Sequence, residues 1–146
     1  MLQSIQESIP AGTALSGHQP IALMERARKA GYQVGLVFVA LADVDLNVKR
    51  VAERVSKGGH DIPDAIIRRR YPKSFANLPK AIKVAHGCLI YDNSSASIEL
   101  FLRMNGTTIE VNNLDEDYTH HTLIADAVAE VLGVGSDVVF QALKNK

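Results

Sequence analysis

The sequence holds a single cysteine, Cys88, in 146 residues, which excludes an internal disulfide and favours a reducing, cytoplasmic setting. Its neighbours in "GCLIYDN" predict a buried strand position rather than an activated thiol. Net charge is missing too, since 16 basic residues balance 16 acidic ones. No global field draws the chain to nucleic acid or to an anionic membrane, and any anion site must come from local clustering. No apolar run approaches the ~18 residues of a membrane span, and the start, "MLQSIQESIP", lacks a basic segment followed by an apolar core. A soluble, unexported protein is expected. Internal repeats and low-complexity tracts are absent, and the length suits one domain.

What is present alternates in period. Residues 1–16 carry the Pro, Gly and Ser of a loop and predict a poorly anchored end. Ile21, Met24 and Ala27 fall at helical spacing before Gly31, so a helix is expected over 18–30. "VGLVFVAL", 34–41, is continuously apolar and β-branched, as in a strand buried on both faces of a parallel sheet. Asp43 or Asp45 caps a helix reaching Ser56, and Gly58-Gly59 ends it. Pro63 opens the next helix, whose apolar stripe runs through Phe75, Leu78 and Ile82, with Pro72 and Pro79 expected to kink or interrupt it. "CLIYD", 88–92, reads as a second short strand. Asn105-Gly106 predicts a hairpin. Helical periodicity returns over 119–132 and 136–144. The order helix, strand, helix, helix, strand argues for an α/β fold with a parallel sheet and ligands beyond its carboxyl ends.

One stretch stands out chemically. "SKGGHDIPDAIIRRRYPKSF", 56–75, sets Arg68, Arg69 and Arg70 downstream of two glycines. Three consecutive arginines on a helix project about 100° apart, so one or two at most can meet a ligand together with Arg50 or Arg54. A solvated helix face is the plain alternative. The glycine pair permits a hinge between two arginine-bearing helices, which could close guanidinium groups over a phosphate. His60 could touch an anion or simply border a turn. Asp92 and Asn93, at a strand end, could touch a ligand or cap the strand. "LDEDY" and His120-His121 read as surface charge and a helix start. The two histidines lack the i, i+4 spacing of a helical metal pair, so no metal site is expected.

The ordered blocks "ALSG", "RARKAGYQVGLVFVAL", "RVAERVSKGGHDIP", "IIRRRYPKSFANL" and "IYDNS" resemble the zeta toxin family of P-loop kinases over about residues 12–94. The resemblance implies an incomplete P-loop-kinase-like parallel sheet flanked by helices, with a β-hairpin and a carboxyl-terminal helical pair added. It divides the chain into a kinase-core portion with its lid, 1–95, and a tail, 96–146, in the same domain or as a small appendage. Members phosphorylate nucleotide-activated sugars such as UDP-N-acetylglucosamine with ATP and magnesium. Carried over, Gly58, Gly59 and Pro63 form the lid hinge. Arg69 and Arg70 stabilise the transferring phosphoryl group as catalytic residues, and Arg50, Arg54, His60 and Asn93 lie at the nucleotide.

The sequence also departs from that family. It has no Gly-Lys dipeptide, so the lysine-bearing phosphate loop is missing. By the same resemblance, Gly12 stands where the family has a glutamate, and the family's catalytic aspartate and first strands are expected upstream of the residues that match. Free-standing kinase activity is therefore expected to be very weak or nil. Three readings follow. The first is a lid-bearing carboxyl portion of such a kinase, truncated or completed by another polypeptide, with an antitoxin-like partner implied. The second is a diverged anion- or partner-binding protein that covers its sheet by forming a homo-oligomer. The third is DNA binding through a helix-turn-helix pattern in "ADAVAEVLGVGSDVVFQALKNK", where Ala129, Gly133 and Val139 take the packing and turn positions. The sparse basic residues of that tail, Lys144 and Lys146, favour a plain helical hairpin on the sheet.

Overall fold

The structure is a computed structural model that describes residues 14–95 and 97–144. Of the loop expected over 1–16, residues 1–13, Gly12 included, lie outside the described residues. Directly after it, a 3-10 turn at Ala14–Ser16 is anchored. Leu15 is buried and its carbonyl accepts from Asn77 Nδ2 at 2.6 Å. The expectation of a loose end therefore fails at these residues, because an apolar side chain and a satisfied carbonyl hold them to the core.

The element order follows the hydrophobic periods closely. Helix α1, Gln19–Lys29, precedes strand β1, Gly35–Ala40. Helix α2, Val44–Ser56, starts at Asp43, whose carboxylate accepts the Leu46 amide at 2.7 Å; this satisfies one of the amides a helix start leaves open. Helix α3 spans Asp64–Val84 with Pro63 at its N-cap, and strand β2 follows at Gly87–Asp92. Strands β3, Glu99–Asn105, and β4, Thr108–Asn112, form the hairpin around Gly106, whose φ of 59° suits a tight turn. Helices α4, Thr119–Leu132, and α5, Ser136–Gln141, complete the described chain.

The four strands form one sheet in the order β1-β2-β3-β4. Only β1 and β2 are parallel; β2–β3 and β3–β4 are antiparallel. The architecture is thus α/β with a mixed four-stranded sheet flanked by helices, a correction to the expected parallel sheet. The cause is connection length. Two helices between β1 and β2 allow a parallel crossover, whereas the short 93–98 link can only turn the chain back.

Alternate residues of the sheet face the helices. Leu36, Phe38 and Ala40, then Cys88 and Ile90, then Leu102 and Met104, join Ile21, Phe75, Leu78, Ile82, Ile124 and Val128 in one core. On β1 the opposite face is open, with Val37 61% exposed. The period of two in β1 is real, but the continuously apolar run does not signal burial on both faces here. Edge-on contacts from Tyr71 to Phe75 and from Phe75 to Phe38, with centroids 5.2 and 5.5 Å apart, seat α3 on β1.

Helix α3 runs through Pro72 and Pro79 without interruption. Each proline forfeits a helical amide, but Ile67, Phe75, Leu78, Ala81 and Ile82 are buried along the same helix, and Pro79 is itself buried. Packing outweighs the local penalty. At the other end α5 closes at Gln141 rather than near Lys144. Asn112 Nδ2 donates to the carbonyls of Val139 and Ala142, both at 2.8 Å, and Lys144 Nζ to that of Leu114 at 2.5 Å. The Asn112 bonds cap carbonyls at the carboxyl end of α5.

Candidate functional site

The parallel pair ends at Ala40 and Asp92 in register, and the polar groups of the chain gather beyond that edge. Helix α2 leaves from it four residues after β1. The amino-terminal half of α3 returns to it, because Tyr71 Oη donates to the Leu41 carbonyl at 2.8 Å and Arg68 pairs with Asp45 at 2.7 Å. Arg50 Nη2 donates to the Asn93 carbonyl at 3.2 Å, and the Asn93 amide donates to Ala40 O at 3.0 Å. Arg50 and Asn93 are therefore brought together as a pair, through the backbone of Asn93.

The other arginines divide by use. Arg68 is committed to an exposed ion pair. The side chains of Arg54, Arg69 and Arg70 make no ion pair or hydrogen bond among the described residues, Arg70 half-buried beside Tyr71 and the other two exposed. Charge is also segregated along the chain. Lys and Arg outnumber Asp and Glu ten to four over residues 44–84 and are outnumbered two to nine over 85–144. A neutral chain thus carries a basic arm.

The two glycines between these helices have a local explanation. The Gly58 amide donates to Val55 O at 3.0 Å and the Gly59 amide to Arg54 O at 2.8 Å, the paired bonds that close a helix carboxyl end. Gly58 has φ 94°, and a Cβ on Gly59 would stand 2.9 Å from the Arg54 carbonyl oxygen. Both positions need glycine to stop α2. His60 sits exposed in the connection, with Pro63 at the start of α3.

A second constellation was missed by sequence reasoning. His120 and His121 are buried, at 4% and 2% exposure, not surface charge. Their Nε2 atoms reach the same oxygen, Oδ2 of buried Asp92, at 2.7 and 3.2 Å. Adjacent helix residues do point about 100° apart, but a carboxylate lying between the two directions meets both. Asp92 Oδ1 accepts the Ser94 amide at 2.9 Å and the Ser94 hydroxyl. The Asp115 amide donates to His121 Nδ1 at 3.0 Å. An extra residue in β3, at Phe101, shifts its register against β2, and the Phe101 ring lies 4.3 Å from that of His121. Tyr118 lies against both imidazoles. The available signal was an aspartate ending a strand and a histidine pair opening a helix; their proximity is tertiary.

Burial pushes the Asp92 carboxyl up, but the bonds from Ser94, His120 and His121 outweigh it and hold it below its ordinary value. Burial pushes His121 down, against the opposing pull of Asp92. Burial, with Asp43 and Asp92 nearby, pushes the Tyr71 hydroxyl up to about 12. Burial alone pushes the Cys88 thiol up to about 12, as suits an inert strand cysteine.

The donor atoms of Asp92, His120 and His121 lie within 4.8 Å of one another, so their spacing alone suits a metal ion. The hydrogen-bond polarity does not. A metal-bound imidazole donates its second nitrogen's hydrogen outward, whereas His121 Nδ1 accepts an amide hydrogen and so places its own hydrogen on Nε2, toward Asp92. At the β1–α2 turn the Asp43 carboxylate takes the Leu46 amide at the α2 amino terminus.

No family model matches the chain, and no solved structure matches it. A curated relative from Haemophilus influenzae, described as an uncharacterized protein, is 36% identical over 62 residues, covering 42% of this chain and 44% of the relative. The matched stretch spans less than half the length of that relative. Among the described residues no helix is long and apolar enough to cross a membrane.

Proposed function

We propose that the chain binds a phosphate-bearing ligand of the nucleotide class through the arginines of α2 and α3, as the lid-bearing portion of a zeta-toxin-like phosphotransferase. The observation that carries this reading is the placement of the basic arm. Two arginine-bearing helices reach the carboxyl ends of a parallel strand pair through Arg50 and Tyr71, and the side chains of Arg54, Arg69 and Arg70 on them have no ion-pair partner among the described residues. Guanidinium groups suit this task because their planar donors match phosphate oxygens two at a time. Arg50, bonded to Asn93 O, fixes the inner end of the site, and the exposed connection with His60 bounds it from outside.

Phosphoryl transfer by the chain alone is not part of the proposal. The lysine-bearing glycine turn is lacking in the sequence, and the residue after β1 that caps α2 is an aspartate, which repels a phosphate. Binding would then serve a partner polypeptide that supplies the remaining groups. Use of α4 and α5 to read DNA has less support. Helix α5 is six residues long and carries Asp137 in its first turn.

Isothermal titration with Mg-ATP and, separately, with UDP-N-acetylglucosamine tests the proposal. Binding that Arg69→Ala with Arg70→Ala abolishes is expected for at least one of them. Heat-silent titrations of both, or binding indifferent to these changes, would overturn it.

A further inference from the structure

The hydrogen-bond polarity around His121 has a consequence unrelated to phosphate. Its Nδ1 accepts the Asp115 amide and its Nε2 donates to Asp92. Only the neutral ring with its hydrogen on Nε2 can do both. Asp115 belongs to an acidic loop, Asp115–Glu116–Asp117–Tyr118, that joins β4 to α4. The loop forms one wall of an open cavity of about 470 Å³, lined by residues 112 to 117 and by Phe140, Gln141 and Lys144. The opposite wall is pinned by Asn112, bonded to the carbonyls that end α5, and by Lys144, bonded to Leu114 O.

We infer that His121 is a proton-operated latch on this loop. While neutral, it accepts the Asp115 amide and fixes the acidic wall of the cavity. When Nδ1 takes a proton, both ring nitrogens become donors, the amide loses its acceptor, and the wall is released while Nε2 stays on Asp92. The groups facing the ring from each neighbouring element are Asp92 at the end of β2, Phe101 of β3, His120 of α4, and Asp115 with Tyr118 of the loop. Among the anions, Asp92 is already engaged through Nε2. The Asp115 carboxylate accepts the Asp117 amide at 2.9 Å, so turning it toward a protonated Nδ1 would undo the loop's own turn as well. Either response to protonation loosens the same four residues.

The test is nuclear magnetic resonance on the full chain, labelled with nitrogen-15. At pH 8 the His121 ring is expected as the Nε2–H tautomer. As pH falls, protection of the Asp115 amide should drop roughly tenfold with the His121 midpoint, the fold-change of one lost hydrogen bond, while the core amides of Leu102 and Val128 hold. His121→Asn offers an acceptor near the Nδ1 position without a titrating group, and its Asp115 protection should not vary with pH. An Nδ1–H tautomer at pH 8, an Asp115 amide indifferent to His121 titration, or a folded His121→Asn chain with the original pH dependence would overturn the latch. If that variant does not fold, the tautomer and the co-titration in the unaltered chain still decide.

Discussion

His120 Nε2 stands 2.7 Å from Asp92 Oδ2, joining the first turn of α4 to the last residue of β2 across the core. His121 Nε2 meets the same oxygen, so one carboxylate organises both imidazoles. Asp92→Asn keeps the shape but puts a neutral oxygen, or an NH2 group, against two buried donors. Stability is expected to fall by about 2 kcal/mol, the cost of weakening charge-assisted bonds in a buried place. Urea unfolding of the two chains measures it.

The same cluster gives the chain an acid limb. An unfolded histidine titrates near its ordinary value of about 6.5, while buried His121 resists the proton. Below that value the unfolded state binds more protons, so stability falls as pH falls through it. Asp92, held below its ordinary value, adds a second loss as pH drops below the usual carboxylate range. Urea midpoints taken from pH 8 to pH 4 should decline progressively, and His121→Asn should remove the part of the decline nearest neutrality.

An alkaline limb is expected from Tyr71. Its hydroxyl is pushed from the ordinary 10.0 up to about 12 in the folded chain. The unfolded tyrosine therefore loses its proton first, and stability present below pH 10 drains as pH rises toward 12. Tyr71→Phe should flatten this limb. At neutral pH it removes the bond to Leu41 O and should cost about 1 kcal/mol, readable in thermal melts.

Much of this architecture was legible from periodicity alone. The apolar face of α3, the Asn105-Gly106 hairpin and the span of α4 are local patterns whose burial the fold simply realises. Sheet direction was not legible, because it depends on whether 93–98 turns back or crosses over. Nor was the joint burial of His120 and His121. Their partner, Asp92, lies 28 residues from His120 in sequence, and an adjacent pair on a helix gives no pattern that announces a shared carboxylate. The basic arm lay in plain view, yet the glycine pair within it reads differently once the backbone is known: it closes α2.

That reading of the glycines can be checked directly. Gly58→Ala forces φ 94° on a residue with a Cβ, and Gly59→Ala drives that atom to 2.9 Å from a backbone oxygen. Each should cost about 1 kcal/mol, seen as a lower melting temperature with or without ligand. A free hinge would tolerate alanine without loss of stability.

The most direct test of the phosphate proposal maps where the ligand sits. ATP without magnesium, titrated into the nitrogen-15-labelled chain, should shift the backbone amides of residues 50–70 and of Asn93, and Arg69→Ala with Arg70→Ala should erase those shifts. Saturating ATP that leaves these amides unmoved, or that moves only amides elsewhere, would contradict the assignment of the α2–α3 arm as a phosphate site.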